Sequence, residues 1–221
     1  MFLSLLGAFR GVSDGYLTER FSQVYKDNTW GDSESVSGEG SRRDAPPVWE
    51  AIDALDRTVR KFRIRSLVDL PCGDFNWIPF ILGVHRQLAY RGFDIVPQLV
   101  QRNRAMFPSH RFDVLDATSN VPPKADLIFS KDMVNHLTLV DVAKVLKNFK
   151  RSRSSYLLMS NNLGWDNIEL PENVAGASRH LDAFAAPFHF PEALWNSGYL
   201  ALWRLSDVDE SPLDRIIAGE A

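Results

Sequence analysis

The sequence contains few features of a secreted, disulfide-bonded or membrane-spanning protein. Its 221 residues include one cysteine, Cys72, which has no intramolecular partner for a disulfide, as expected in a reducing compartment. No apolar run is long enough to cross a bilayer, and the apolar N-terminus, residues 1–16, has neither the charged start nor the cleavage site of a signal peptide. We expect a cytoplasmic protein whose N-terminus packs on the core, with a dimer contact or a weak surface anchor as alternatives.

The chain also lacks an excess of positive charge. Its formal net charge is -3, with lysine and arginine scattered along the sequence, whereas binding to a phosphate backbone normally requires a broad positive field. Nucleic acid is therefore not expected as the main partner. Hydrophobic residues make up 45% and charged residues 24%, which is ordinary globular composition, and the length suits one α/β domain.

Apolar patterns of helical and strand type alternate along the chain. Helices are predicted over residues 17–28 and from Pro46 to residue 63, where proline is tolerated in the first turn. Further on, buried strands alternate with helices; the predicted strands are 66–70, 89–93, 111–115, 125–130 and 155–160, and the helices start at 77, 96 and 138. This alternation predicts a Rossmann-like, doubly wound, mostly parallel sheet with helices on both faces. The apolar run near residue 200 predicts an added antiparallel edge strand.

Acidic residues follow the predicted strands. Asp69, Asp94 and Asp116 come at or just after the ends of the first three strands, where ligands bind in open α/β sheets. Asp94 lies 25 residues beyond Asp69, close to the spacing of a carboxylate that binds ribose hydroxyls. The loop after the first strand has only Gly73 as a glycine, so a dinucleotide-type pyrophosphate site is not expected. Carboxylates there suit a ligand that carries positive charge.

Three segments together resemble a known family, the class I S-adenosylmethionine-dependent methyltransferases. Residues 69–73, DLPCG, resemble its D-x-G-x-G turn; Asp94 its ribose-binding acid; and Asp116-Ala117 its adenine-lining segment. The sequence departs from the family at Pro71 and Phe75, where glycines are usual. The resemblance implies S-adenosylmethionine as the cofactor and contacts to it from Asp69, Pro71, Cys72, Gly73, Asp94, Ile95, Asp116, Ala117 and Lys131.

A narrower resemblance concerns the acceptor. The motif DLPCGDFNW, together with WGDSESVSGEGS and the late PFHFP, is similar to a bacterial subgroup that includes sugar O-methyltransferases of polysaccharide and lipo-oligosaccharide pathways. It implies methyl transfer to a hydroxyl of a carbohydrate or glycolipid. One domain, 1–221, is then expected to comprise an N-terminal helix and lid-like loop (1–45), a cofactor-binding core (46–160) and acceptor-side loops with an edge strand (161–221).

The segment after the fourth strand, FSKDMVNHL, offers groups for proton transfer. If it is helical, Asp132 and His136 fall one turn apart on the same face. His136 is the predicted general base, with Asp132 as its orienter or as the alternative base. A divalent cation held by Asp132 and Asp166 is a less favoured alternative, because the sequence has no compact ligand motif.

Two further segments are predicted to flank the acceptor. In the loop from Trp30 to Ser41, Trp30 is expected to cover the cofactor as a lid, and Ser37, Gly38, Gly40 and Ser41 to hydrogen-bond to its carboxylate. In the C-terminal segment, aromatic side chains are candidates for stacking on a sugar ring, with core or dimer packing as the alternative. Those candidates are Phe188, His189, Phe190 and Trp195, with Arg179 and His180 as additional polar groups.

Other functions remain open at this point. The same cofactor would serve transfer to another small metabolite or to nitrogen, or a cofactor-binding protein that has lost catalysis and acts as a partner. An NAD-dependent enzyme is disfavoured by the missing glycines. A homodimer is compatible with the sequence but is not indicated by any motif.

Overall fold

The structure, a computed structural model, describes residues 15–171, 174 and 176–220. The expectation that the apolar N-terminus, residues 1–16, packs on the core falls almost entirely on residues 1–14, which lie outside the described part. Within that part, no helix is long and apolar enough to cross a membrane.

A seven-stranded sheet with the order β3-β2-β1-β4-β5-β7-β6 forms the centre of the molecule. The strands β1 to β5 are parallel, β7 is antiparallel to β5, and β6 is antiparallel to β7. Their bounds are β1 Ser66–Asp69, β2 Ala89–Asp94, β3 Arg111–Val114, β4 Leu127–Ser130, β5 Tyr156–Ser160, β6 Trp195–Asn196 and β7 Leu200–Arg204. The predicted fold class is confirmed.

Helices cover both faces of the sheet. Their bounds are α1 Tyr16–Lys26, α2 Pro46–Phe62, α3 Ile78–Val84, α4 Pro97–Met106, α5 Leu139–Arg151 and α6 Ser211–Ala218. All but α6 were predicted from the apolar spacing. The last helix is short and packs on α5, where Lys147 pairs with Asp214.

The side-chain alternation of the strands divides the core into two layers. Val68, Ile128 and Leu157 point into the layer that also contains the buried face of α5. Their neighbours Leu67, Leu127 and Leu158 point into the layer under α2 and α3. Because successive strand residues face opposite sides, one continuous apolar run supplies both layers.

The C-terminal strands differ from the expectation of a single edge strand. The apolar run predicted the antiparallel strand β7, but this strand lies inside the sheet, between β5 and the two-residue edge strand β6. Leu200 and Leu202 are buried in the layer under α2 and α3, and Trp203 is buried in the layer that contains α5. A short strand such as β6 offers few unpaired backbone groups at the sheet edge.

The strand order reverses between β1 and β4. From β1 the chain proceeds outward through β2 and β3, then returns to place β4 on the other side of β1, where Asp69 pairs with Phe129. A crevice forms where crossovers leave in opposite directions from adjacent strands, and ligands bind there in open α/β sheets. The residues that follow β1, β2, β3 and β4 therefore meet at one place.

Candidate functional site

One cavity occupies this crevice and collects almost every residue predicted for the site. Those on its wall are Trp30, Ser37, Ser41, Asp69, Pro71, Cys72, Gly73, Asp94, Ile95, Asp116, Ala117, Lys131, Asp132 and His136. Among the residues predicted for cofactor binding and proton transfer, Gly38 and Gly40 of the lid loop are the exceptions. The loops after four strands and the predicted lid loop, residues 30–41, thus enclose a common space.

Two buried carboxylates stand at the floor of the cavity. Asp69 accepts a hydrogen bond of 2.7 Å from the Tyr90 hydroxyl, and Asp94 accepts from the backbone amides of Gly73 at 3.1 Å and Val96 at 3.0 Å. Burial raises the pKa of Asp69 to about 8 and that of Asp94 to about 6. Carboxyl groups in this state favour a ligand whose positive charge offsets the desolvation of the carboxylate.

The turn after β1 joins these carboxylates to the lid loop. Gly73 has a φ of 54°, and a Cβ atom there would lie 2.5 Å from the Ser37 hydroxyl, so only glycine fits. The Ser37 hydroxyl accepts from the Asp74 amide at 3.1 Å and lies 3.2 Å from the Tyr25 hydroxyl. Ser37, expected to hydrogen-bond to the cofactor, is thus also part of the joint between turn and lid.

The departures from the usual glycine pattern have a structural explanation at Phe75. This residue adopts the left-handed conformation that glycine would favour, with a φ of 59°, and its side chain is buried. The ring packs against Tyr90 and Phe112 at centroid distances of 5.2 Å and 5.0 Å. Aromatic packing thus compensates for the cost of the backbone conformation.

Trp30, the residue predicted to act as a lid, forms part of the cavity wall. Its indole packs edge-on against Tyr25, with ring centroids 5.3 Å apart, and against His136 at 5.1 Å. Its Nε1 donates to the Gly176 carbonyl at 3.2 Å. Gly38, expected to bind the cofactor, lies behind this indole instead: a Cβ atom at Gly38 would be 3.0 Å from the Trp30 Cβ.

The helix α1 contributes to the cavity wall, which its sequence pattern did not predict. Leu17, Phe21 and Tyr25 all line the cavity, and their spacing of four residues places them in one row along the helix. The periodicity of residues 17–28 identified the apolar stripe but not the surface that it faces. Position along the chain gave no sign that this stripe covers the carboxyl edge of the sheet.

Lys131 and Asp132, immediately after β4, form an ion pair on the cavity wall. The Lys131 ammonium donates to Asp132 at 2.6 Å and to the Gly40 carbonyl of the lid loop at 3.0 Å. The Asp132 carboxylate also accepts from Ser160 at 3.0 Å and from Tyr199 at 2.9 Å and 2.7 Å. Burial acts to raise the Asp132 pKa, but Lys131 and these hydrogen bonds hold it below its usual value. Asp132 is therefore a persistent anion. Because its pKa is lowered, the carboxylate is a weak proton acceptor, which argues against Asp132 as the alternative base.

His136, unlike Asp132, is in an environment that favours its neutral form. Its Nδ1 lies 2.9 Å from the Ala177 carbonyl; because a carbonyl only accepts, Nδ1 carries the proton and Nε2 of the neutral ring carries a lone pair. Burial lowers the His136 pKa, which favours this neutral form. A neutral imidazole with a lone pair on Nε2, as a general base requires, thus lies in the cavity wall.

The predicted relation between Asp132 and His136 is wrong in its geometry. Asp132 is left-handed, with a φ of 55°, and His136 ends a 3₁₀ turn, Val134–His136, so no α-helix joins them. The ring of His136 is oriented by the Ala177 carbonyl, a backbone group that sequence analysis has no means of assigning. Asp132 acts on it through its charge alone.

The predicted acceptor-side residues lie elsewhere. Phe188 and Phe190 are buried in the core, so packing, the alternative interpretation, describes them. Trp195 lies in β6 under Arg57, and His180 stacks on Trp165 with ring centroids 4.1 Å apart. Arg179 is buried, His189 is exposed, and neither belongs to the wall of the cavity.

No metal centre is formed by the described residues, which contain no group of three or more His, Cys, Asp or Glu side chains placed to hold an ion. Asp166, the predicted partner of Asp132 in such a site, is exposed. Cys72 is buried, and burial raises the pKa of its thiol. This state suits a packed residue and not a nucleophile.

Comparison with known proteins places the fold. No protein-family model and no curated protein sequence matches the chain. Among solved structures, human N-acetylserotonin methyltransferase in complex with S-adenosylmethionine has a TM-score of 0.60 and 14% identity over 87% of this chain. Magnesium protoporphyrin IX methyltransferase from Synechocystis with bound S-adenosylmethionine has a TM-score of 0.54 and 12% identity, and covers 87% of this chain. The chain therefore has the fold of S-adenosylmethionine-dependent methyltransferases.

The lengths of these proteins differ. The chain spans 60% of the human protein and 97% of the Synechocystis protein. The pyocyanin biosynthetic protein PhzM, with a TM-score of 0.51 and 14% identity over 71% of this chain, is matched over 55% of its own length.

Proposed function

We propose that this protein is an S-adenosylmethionine-dependent O-methyltransferase in which His136 removes the proton of the acceptor hydroxyl. The observation that carries the proposal is the Nδ1 contact of His136 with the Ala177 carbonyl. This contact leaves the basic Nε2 lone pair available in a cavity whose floor holds Asp69 and Asp94. The fold supports S-adenosylmethionine as the cofactor, and the neutral imidazole of His136 supports proton removal from a hydroxyl acceptor.

The lining residues fit S-adenosylmethionine. Asp94, at the end of β2, would accept from the ribose hydroxyls, and Asp116 with Ala117 would border the adenine. Asp69, whose pKa burial raises to about 8, would be stabilised as a carboxylate by a positively charged ligand. When bound, S-adenosylmethionine supplies a methyl group activated by a sulfonium.

The chain contributes proton removal and the exclusion of water. His136 would accept the hydroxyl proton at Nε2, and the persistent charge of Asp132 would stabilise the resulting imidazolium. Trp30 packs on the His136 ring and shields the cavity, which strengthens electrostatic interactions inside it.

For the acceptor we propose a carbohydrate or glycolipid hydroxyl. The support is the resemblance of the DLPCGDFNW and WGDSESVSGEGS segments to sugar O-methyltransferases. The aromatic residues expected to stack on a sugar, Phe188 and Phe190, are core residues and give no support. Cavity residues from α1, Phe21 and Tyr25, offer the aromatic surface in their place.

Calorimetry and product detection test the proposal. We expect S-adenosylmethionine to bind and NAD not to bind, and S-adenosylhomocysteine to form with at least one member of a panel of monosaccharides, oligosaccharides and glycolipids. The variant His136→Asn keeps a side-chain amide donor for the Ala177 carbonyl but has no base. Its turnover should fall by about 10² to 10⁴ with unchanged affinity for the cofactor. His189→Asn, outside the cavity, is the matched control.

The outcomes separate the competing functions. Turnover with amines or other small metabolites, but with no sugar, would assign the same chemistry to a different acceptor. Tight cofactor binding without S-adenosylhomocysteine formation from any acceptor would favour a non-catalytic cofactor-binding protein. Full turnover by His136→Asn would exclude His136 as the base.

A further inference from the structure

Arg179 contacts the backbone of the turn that carries His136. Its Nη1 donates to the Leu137 carbonyl at 2.7 Å and lies 3.4 Å and 3.5 Å from the carbonyls of Val134 and Asn135. Its backbone amide donates to the Asn135 carbonyl at 3.0 Å. Side chain and backbone of one residue thus hold both ends of the turn.

This arginine is costly to bury. Its exposed fraction is 8%, and its Nε and Nη2 have no hydrogen-bond partner among the described residues. Unpaired donors on a buried guanidinium oppose folding, and an apolar side chain of similar volume would avoid that cost. An apolar side chain would not bind the Leu137 carbonyl, which accepts from no backbone amide among the described residues.

We propose that Arg179 is the positioning residue for His136, holding the turn 134–137 against the segment 177–179 so that Nδ1 stays on Ala177 and Nε2 stays free. Two contacts join the same pair of segments: the imidazole to the Ala177 carbonyl and the guanidinium to the Leu137 carbonyl. Loosening either one lets the ring rotate or change tautomer. The consequence for catalysis depends on the proposed function, whereas the consequence for the tautomer does not.

Charges from three elements act on His136. Asp132, after β4, raises its pKa, while Arg20 of α1 and Arg179 both lower it. Arg179 therefore affects His136 by charge as well as by contact, and a test has to separate the two. Arg20 provides the comparison, because it acts on His136 by charge and its side chain makes one hydrogen bond among the described residues, to the Val174 carbonyl.

The test is NMR of the full chain labelled with ¹⁵N-histidine, titrated in the absence of ligands. Wild-type His136 should show the Nδ1–H tautomer when neutral. Arg179→Lys keeps the charge but replaces the planar fork by a point donor, so the tautomer should become mixed with little change in pKa. Arg179→Gln removes both the contact and the charge, so His136 should become a mixture of tautomers and its pKa should rise. Arg20→Gln should raise the pKa and keep the tautomer.

Two outcomes would overturn the proposal: a pure Nδ1–H tautomer in an Arg179 variant that folds, or a mixed tautomer in wild type. If Arg179→Gln does not fold, Arg179→Lys and Arg20→Gln still decide. With an accepted substrate in hand, kcat should fall about tenfold or more in Arg179→Lys, at unchanged cofactor affinity, because small misplacements of a base cost that much. Absence of cofactor binding in wild type would instead refute the proposed function and leave the NMR result standing.

Discussion

The Tyr199 hydroxyl donates to both carboxylate oxygens of Asp132, at 2.9 Å and 2.7 Å. This contact ties the residue before β7 to the residue that follows β4 in the cavity wall. Burial beside Asp132 raises the pKa of Tyr199, so its hydroxyl keeps the proton that it donates. Ser160, from β5, donates to the same carboxylate and accepts from the Asp132 amide. Ser160 and Tyr199 together therefore hold Asp132, whose backbone is left-handed.

Replacement of Tyr199 by phenylalanine should destabilise the fold by about 1.5 to 3 kcal/mol, the range for a hydrogen bond to a charged group. The Asp132 carboxylate would lose a donor while remaining in the wall beside Lys131. Urea unfolding measures the loss. Tyr156→Phe is the control, because no hydrogen bond of the Tyr156 hydroxyl exists among the described residues, and it should change stability by less than about 0.5 kcal/mol. Equal losses in both variants would contradict the assigned role of the contact.

Replacement of Trp30 by alanine should weaken S-adenosylmethionine binding about tenfold or more, mainly through faster dissociation, because the indole covers the cavity between Tyr25 and His136. Calorimetry gives the affinity, and a competition chase gives the dissociation rate. Trp49→Ala removes an indole that is 56% exposed on α2 and should leave both unchanged. A lid role for Trp30 would be ruled out by wild-type dissociation from Trp30→Ala.

Affinity for S-adenosylmethionine should increase as the pH rises from about 6 to about 8 and level off above that. The Asp69 pKa is raised to about 8, so the carboxyl is largely protonated at neutral pH, and a positively charged ligand binds more tightly to the ionised form. One coupled proton changes affinity by at most about tenfold per pH unit. Calorimetry in buffers of different ionisation enthalpy should also detect proton release on binding.

Asp69→Asn should flatten this pH dependence, and adenosine, which carries no positive charge, should bind wild type without a comparable rise. The same shift affects stability without ligand. Since the folded pKa, about 8, exceeds the unfolded value of about 3.9, the folded state binds more protons between them, and stability should fall as pH rises through that window. Urea unfolding at about pH 4 and pH 8 should show this fall in wild type and a smaller one in Asp69→Asn.

Much of the fold follows from local patterns in the sequence. Apolar spacing predicted α1 to α5 and β1 to β5, because amphipathic periodicity depends on neighbouring residues alone. The same regularity located the cavity: residues after parallel strands meet at one sheet edge, and the predicted residues that follow β1 to β4 line it, whereas Gly38, Gly40 and the predicted acceptor-side residues do not. The helix α6, which was not predicted, and the position of β7 inside the sheet depended on packing partners distant in sequence.

The sequence by itself determined which carboxylates lie together, since strand ends and their spacing are local properties. Tertiary structure decided what each group does. Asp132 became a persistent anion because Tyr199, far along the chain, donates to it, and the proposal of His136 as the base depends on a loop carbonyl that holds its Nδ1. Hydrogen bonds between distant segments set protonation and orientation, and neither leaves a pattern in the order of the residues.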